Sequence, residues 1–212
     1  MKKLVFIVPF LLFITNAFCQ TSKQVFESPN LKEAISRHKL VAIIPFTATI
    51  TYRHTPKGVT HETNLADEQK MAKEIQSGMY TYLLRRAKDY SVDFQDVDKT
   101  DILLTKAGLI DKLGETTSDE LAKVLGVDAI ISGVYAVEHT KTEGGAIVSA
   151  VLFGGFASGD KTGTLTMKIN DGKDGSLLWR FAKGMEGSMF ASTDDLITHM
   201  MRKVSRNFPY MK

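Results

Sequence analysis

The sequence predicts an α/β (α+β) fold: a mixed sheet with a βαβαβ start, a C-terminal β-hairpin and a closing helix, with the helices packed on the sheet. The first observation is the run GVDAIISG at residues 126–133, where β-branched residues stand between glycines directly after a capped helix. Such a run is typical of a strand buried on both faces, so we place it in the centre of the sheet. The second and third observations are that strand-like and helix-like segments alternate before this run, and that two alternating segments joined by a turn follow it.

Residues 1–19 have the three parts of a secretory signal peptide. Two lysines form the basic start, residues 4–14 form the apolar core, and Ala17 and Cys19 fit the small-x-small pattern of a cleavage site. The core of 11 residues is shorter than the roughly 17 that cross a bilayer, which disfavours an uncleaved membrane anchor. We therefore expect an exported protein that is periplasmic or associated with the outer membrane.

The single cysteine, Cys19, leaves an alternative open, because the signal of a bacterial lipoprotein also ends at a cysteine that becomes acylated. Lipoprotein signals carry a small residue before that cysteine, whereas Phe18 stands there, so lipidation is disfavoured. Cleavage after Cys19 would leave no cysteine for a disulfide or a thiolate metal site. It would also leave 25 basic and 24 acidic residues, a balance that does not indicate nucleic-acid binding.

The mature chain is predicted to open with an N-terminal arm at residues 20–39, which contains a short helix. Residues 40–212 are predicted to form a single domain. Its first element is the apolar run 40–46, which suits a buried strand with Pro45 near its end. Residues 47–52 are predicted to extend this strand along an edge.

Residues 53–63 are predicted to be an exposed loop that carries two histidines, His54 and His61. A metal site is the alternative, but two loop histidines without a carboxylate cluster at ligand spacing are more often solvated. A long helix is then predicted from Asn64, which would act as its cap. Its buried stripe recurs every four residues and consists of Met71, Ile75, Met79, Leu83 and Ala87.

Short elements lead from this helix to the central strand. Residues 90–94 are predicted to be a strand, and a helix capped by Asp98 is predicted to end before Gly108. Thr117 and Glu120 stand at capping-box spacing, which predicts another helix before the central strand.

The C-terminal region is predicted to form an antiparallel hairpin and a closing helix. Apolar residues alternate on both sides of a turn at residues 171–175, and the inward positions are Leu165, Met167, Ile169, Leu177, Trp179 and Phe181. The helix begins at Ser192, and its inward residues are Leu196, Met200 and Val204, with Ile197 and Met201 beside them.

Residues 144–159 form an apolar, glycine-rich insert of 16 residues without a charge. They are too short for a membrane-spanning helix. We therefore consider a small-residue packing segment that contacts another subunit or an envelope protein, a membrane-inserting hairpin, or a peripheral contact with the outer membrane. The remaining alternative is a loop or short helix folded over the domain's own core. The candidate interaction residues are Ile147, Val148, Val151, Leu152, Phe153 and Phe156.

Motifs for catalysis, cofactor binding or metal binding are not found. Phosphate-binding loops, the zinc-protease motif HExxH and the hydrolase elbow GxSxG are absent from the sequence. The string DKTGT at residues 160–164 matches the phosphorylation motif of cation-pumping ATPases, but the chain lacks the rest of a pump, so we interpret it as the turn into the hairpin. The alternative to a binding protein is a secreted hydrolase or small-ligand-binding protein that uses Asp93, Asp96 and Asp98.

Three strings carry a resemblance to a known group: VAIIPF at residues 41–46, GVDAIISG at residues 126–133 and DGKDGSLLW at residues 171–179. Over residues 40–206 the chain resembles bacterial envelope proteins of the curli-secretion CsgG, penicillin-binding-protein activator LpoB and TolB N-terminal group. Pore-forming members of that group insert two long membrane hairpins, whereas only residues 144–159 could serve here, so a secretion pore is not expected.

The resemblance implies a non-enzymatic domain that contacts envelope partners or copies of itself. Together with the predicted export and the uncharged insert, it leads us to expect a binding or assembly module without a cofactor. Its partner would be an envelope protein or the chain itself as a homo-oligomer.

Overall fold

Residues 23–139, 161–186 and 193–212 are described in the computed structural model of the protein. Within these ranges seven strands form one mixed sheet, with five helices packed on it. The elements are β1 (Lys23–Glu27), α1 (Leu31–Arg37), β2 (Leu40–Ile43), β3 (Thr47–Tyr52), α2 (His61–Arg85), β4 (Asp93–Phe94), α3 (Val97–Lys106), α4 (Ser118–Leu125), β5 (Ala129–His139), β6 (Lys161–Asp171), β7 (Leu177–Glu186) and α5 (Thr193–Val204). The α/β (α+β) prediction is confirmed, and the segment predicted as an arm supplies β1 and α1.

The centre of the sheet is β5, as the sequence predicts. The strand order is β1-β7-β6-β5-β2-β4, and β3 also pairs with β5. β2 and β3 lie one after the other along the same edge of β5, both parallel to it, while β6 pairs with it in antiparallel fashion over its whole length. β4 is parallel to β2, so the predicted parallel start of the sheet is confirmed.

The two faces of the sheet are covered differently. On the face that we call the helix-covered face, α1, α2 and α5 pack over the inward side chains of β2, β3, β5, β6 and β7 and form the main core. On the opposite face, α3 and α4 form a smaller core with Ala42, Ile44 and Ile130. The main core includes the predicted inward residues of the closing helix, namely Leu196, Ile197, Met200, Met201 and Val204.

The predicted cap of α2 is wrong. The helix begins at His61, and Thr60 and Thr63 form a reciprocal capping box, so His61 lies in the helix rather than in a loop. Asn64 instead donates through its side-chain amide to the carbonyl oxygen of Ile50 at 3.0 Å. The capping box uses threonine at its third position rather than the usual glutamate, which explains why the sequence pattern did not indicate it.

The predicted cap of α3 is wrong by two residues, since Asp96, not Asp98, accepts the hydrogen bond from the backbone N–H of Lys99. The start and end of α4 are confirmed. Thr117 and Glu120 form the capping box, and Gly126 ends the helix with a φ of 67°, a left-handed conformation that favours glycine.

The predicted hairpin is confirmed as β6 and β7, with two corrections. The ladder is irregular between Ile169 and Asn170, and this irregularity places Leu178 in the main core while Leu177 is only half-buried. Residues 161–164, predicted as a turn, belong to β6, because the ladder with β5 already begins at the pair His139–Lys161.

Candidate functional site

The six predicted interaction residues, Ile147, Val148, Val151, Leu152, Phe153 and Phe156, lie outside the described residues. The structure does describe the two strand ends that flank them. His139 ends β5, Lys161 begins β6, and the two are direct partners in the antiparallel ladder. Residues 140–160 therefore connect the ends of the long antiparallel pair formed by β5 and β6. We call this end of the pair, at His139 and Lys161, the hairpin tip; it is not part of the hairpin of β6 and β7.

Tyr52, the last residue of β3, and Arg53 after it contact the hairpin tip. The ring of Tyr52 stacks on that of His139, with 4.8 Å between centroids, and the backbone N–H of Arg53 donates to the carbonyl oxygen of His139 at 2.9 Å. Burial raises the pKa of the Tyr52 phenol, as do the nearby carboxylates Asp67 and Glu68 in α2. The tip is thus held by a third strand and lies beside the first turns of α2.

The sheet face opposite the helix-covered face is open near the hairpin tip. The strand registers place Thr49, Ala136 and Thr164 in one row across β3, β5 and β6, and Thr51, Glu138 and Thr162 in the next row. We call this area the threonine face. Its exposed side chains are Thr47, Thr49, Thr51, Val134, Thr162 and Thr164.

The three aspartates considered for a hydrolase do not form an enclosed site. Asp93, Asp96 and Asp98 are all exposed, and Asp96 caps α3. Burial raises the pKa of Tyr80, and a side-chain hydrogen bond with Asp96 acts in the same direction. In the part of the chain that the structure describes, no three or more His, Cys, Asp or Glu side chains are placed to hold a metal ion.

The sequence did not indicate a polar cluster around the buried His38. His38 Nδ1 lies 2.7 Å from the Tyr210 hydroxyl oxygen, and His38 Nε2 lies 3.6 Å from Asp171 Oδ1. Arg37 donates to the other oxygen of Asp171 at 3.3 Å. Asp128 Oδ2 accepts from the backbone N–H groups of residues 39 and 40, at 2.7 and 3.0 Å. The cluster connects the start of β2, the β6–β7 turn and the C-terminal segment.

The electrostatics of this cluster favour a structural role. Burial lowers the pKa of His38 despite the opposing charges of Asp171 and Asp128, and burial raises the pKa of the Tyr210 phenol. All three side chains of the His38, Asp171 and Tyr210 group are buried, so they hold the C-terminal segment in place rather than face a ligand. His38 and Tyr210 lie 172 positions apart, which is why no local pattern could predict the cluster.

None of the helices within residues 23–139, 161–186 and 193–212 combines the length and the apolar character needed to cross a bilayer.

Comparison with known proteins shows similarity only at the level of solved structures. No protein-family model and no curated protein matches the chain. The PelC dodecamer from Paraburkholderia phytofirmans is 15% identical, with 90% of this chain and 98% of that chain covered and a TM-score of 0.38. Lipoprotein GNA1162 from Neisseria meningitidis is 10% identical, with 79% and 94% covered and a TM-score of 0.43. The LpoB C-terminal domain from Escherichia coli is 8% identical, with 74% and 93% covered and a TM-score of 0.33.

The resemblance predicted from the sequence named LpoB, and the LpoB C-terminal domain is among these similar structures. The identities of 8–15% are low.

Proposed function

We propose that this chain is an exported, non-enzymatic envelope module that associates with a partner protein, or with further copies of itself, through residues 144–159. The observation that carries the proposal is the hairpin tip, where the register of β5 and β6 continues to the pair His139–Lys161. Because the ladder continues to this pair, residues 140–160, which include the insert, are joined to the domain at one place.

The composition of the insert supports a contact with another molecule. Ile147, Val148, Val151, Leu152, Phe153 and Phe156 bring a large apolar area to a stretch without charges. At about 25 cal/mol per Å², half-burial of this area against a partner would contribute several kcal/mol. The threonine face beside the tip adds exposed side chains that a partner could also cover.

The location follows from the signal peptide proposed for residues 1–19. Export places the domain in the periplasm, with cleavage after Cys19 preferred over acylation of Cys19 because of Phe18. The partner is then an envelope protein or a second copy, and the insert can also touch the outer-membrane surface peripherally. We also propose that the chain is related to the CsgG and TolB N-terminal members of the group that its sequence resembles.

The test replaces residues 144–159 by a short Gly-Ser loop. Thermal stability, oligomer size, recovery of envelope proteins and co-sedimentation with membranes are measured on the same preparations. We expect the melting temperature to stay unchanged, because the described core lies in other segments, and we expect association to be lost.

A matched control replaces residues 54–58, a stretch of another loop that is exposed except at the half-buried Pro56, by a Gly-Ser segment of the same length. This control should keep both stability and association. A fall in melting temperature without any change in association would show instead that the insert is part of the domain's own core. A strictly monomeric protein that recovers no partner at micromolar concentration would also contradict the proposal.

A further inference from the structure

Cationic side chains meet where β1, β7 and α5 come together. Lys23 and Lys183 are direct partners in the antiparallel register of β1 and β7, so their side chains stand on the same face of the sheet. Lys23 Nζ donates at 2.9 Å to Asn207 Oδ1, just after α5, which connects the lysine pair to that helix. We call this group the basic cluster, and its members are Lys23, Lys183, His199, Arg202 and Lys203.

The lysines of the basic cluster repel one another. Like charges directly opposite on neighbouring strands are destabilising, and Lys183 and Lys203 are half-buried. Burial lowers the pKa of Lys183, and the charges of Lys203 and Lys23 lower it further. Among the described side chains no carboxylate forms an ion pair with these lysines, and Glu27 lies at the far end of β1, opposite Trp179.

His199 adds a titratable group to the same cluster. The Arg202 guanidinium lies 3.3 Å from His199 Nδ1. Burial lowers the pKa of His199, followed by the charges of Arg202, Lys203 and Lys183. The exposed Asp195 lies one helical turn before His199 on α5. A bound anion would offset the cationic neighbours, so it would raise the pKa of His199 and increase the charge of the site.

We propose that the basic cluster is a binding site for phosphate-type oxyanions, presented as a free phosphate group or as the head group of a lipid. Several ammonium groups and one guanidinium come together from three elements, and none of the described carboxylates forms an ion pair with the lysines. Charge-assisted hydrogen bonds to phosphate oxygens would satisfy these cationic groups. The near-neutral net charge of the mature chain hides this local concentration of positive charge. The site is distinct from the hairpin tip, so either proposal can fail without the other.

The first experiment titrates the purified protein with inorganic pyrophosphate by calorimetry and follows the His199 ring by NMR. We expect binding at one site and a higher His199 pKa in the presence of pyrophosphate. The double variant K183Q/K203Q should bind at least about tenfold more weakly, because it loses two charge-assisted contacts.

The matched control is the double variant K73Q/K123Q, which removes the same charge from exposed sites on α2 and α4. It should bind pyrophosphate like the original protein. Equal weakening in both double variants would mean that only overall charge matters and would overturn the proposal, as would the absence of pyrophosphate binding together with the absence of vesicle binding.

A vesicle experiment distinguishes the two sources of phosphate. Flotation compares vesicles of phosphatidylglycerol and phosphatidylcholine with vesicles of phosphatidylcholine alone. A lipid head group is supported if binding requires phosphatidylglycerol and is lost in K183Q/K203Q. Pyrophosphate binding without vesicle binding supports a free phosphate. Vesicle binding that survives in K183Q/K203Q, in a protein that does not bind pyrophosphate, would contradict the site.

Discussion

The two faces of the sheet differ in what their side chains contact. On the helix-covered face, Trp179 is fully buried and packs against Phe181 and Phe208, with 6.0 Å between ring centroids in both pairs. On the other face of the sheet, Arg180, the threonines of β3, and Thr162 and Thr164 of β6 are exposed. One sheet therefore provides both the core of the domain and an open surface beside the hairpin tip.

This difference follows from the alternation of side chains along a strand. In β5, Tyr135 and Val137 face the core, while Val134 and Glu138 face away from it. Substitutions at neighbouring positions of one strand should therefore have very different effects on stability. Substitutions on the two faces test that contrast, from the largest expected effect to the smallest.

Replacing Trp179 by alanine should have the largest effect. The side chain is fully buried between Phe181 and Phe208, so its removal leaves a cavity in the main core and should cost about 3–5 kcal/mol. Chemical denaturation measures the loss. The matched variant Arg180→Ala, on the adjacent exposed residue, should change the free energy of unfolding by less than about 0.5 kcal/mol. Similar losses in the two variants would contradict the assignment of the faces.

Replacing Gly133 by alanine should overpack the helix-covered face. A Cβ atom there would lie 2.7 Å from the carbonyl oxygen of Thr166 and would press against the Phe46 ring. We expect a loss of about 1–3 kcal/mol by denaturation, because β5 and β6 would have to separate. Ser132→Ala, one residue earlier and on the other face, serves as the control and should be close to neutral.

Acidification should destabilise the protein through His38. Burial holds its pKa below the usual 6.5, so the unfolded state binds more protons as the pH falls through 6.5. The contribution of neutral His38 to the free energy of unfolding is complete above that pH. It is lost progressively as the pH falls to the pKa of His38 in the folded state. The melting temperature should therefore fall between about pH 7.5 and about pH 5.5.

The variant His38→Gln should flatten this pH dependence, whereas the exposed His54→Gln should not. The pKa of His199 is also lowered, so His199 would contribute to the same pH dependence. For this reason the reference protein and both variants carry His199→Gln. An equal slope in the His38 and His54 variants would show that the buried cluster does not titrate in this range.

The smallest effect is expected on the threonine face. Thr49→Ala and Thr164→Ala, on either side of Ala136, should each change the free energy of unfolding by less than about 0.5 kcal/mol, because both side chains are exposed. Denaturation of the single variants measures this. Losses comparable to that of Gly133→Ala would mean that the threonine face is packed against another part of the molecule.

Local patterns predicted much of the fold. The capping box at Thr117, the left-handed Gly126 and the apolar run of β5 are all encoded within a few residues, and the structure confirms them. The alternation of apolar residues also predicted the inward side chains of the hairpin, except at Leu177. An irregularity in the β6–β7 ladder shifts the inward position there. No local pattern predicts such an irregularity.

Features that depend on distant residues were missed. The sequence of β1, KQVFE, lacks the alternation of apolar and polar residues that indicates a strand, and all five residues are exposed. It is a strand because it pairs with β7. The cluster of His38, Asp171 and Tyr210 and the pairing of Lys23 with Lys183 likewise exist only in the folded chain. Charge counted over the whole sequence gave no sign of the basic cluster.

Site-specific photo-cross-linking in the cell envelope tests the central claim most directly. A photo-reactive residue replaces Phe153 in the insert or, as control, Lys73 on the exposed side of α2. The proposed function predicts a defined cross-linked product from position 153, to an envelope protein or to a second copy, and none from position 73. Equal products from both positions, or none from position 153 in a stably folded protein, would contradict it.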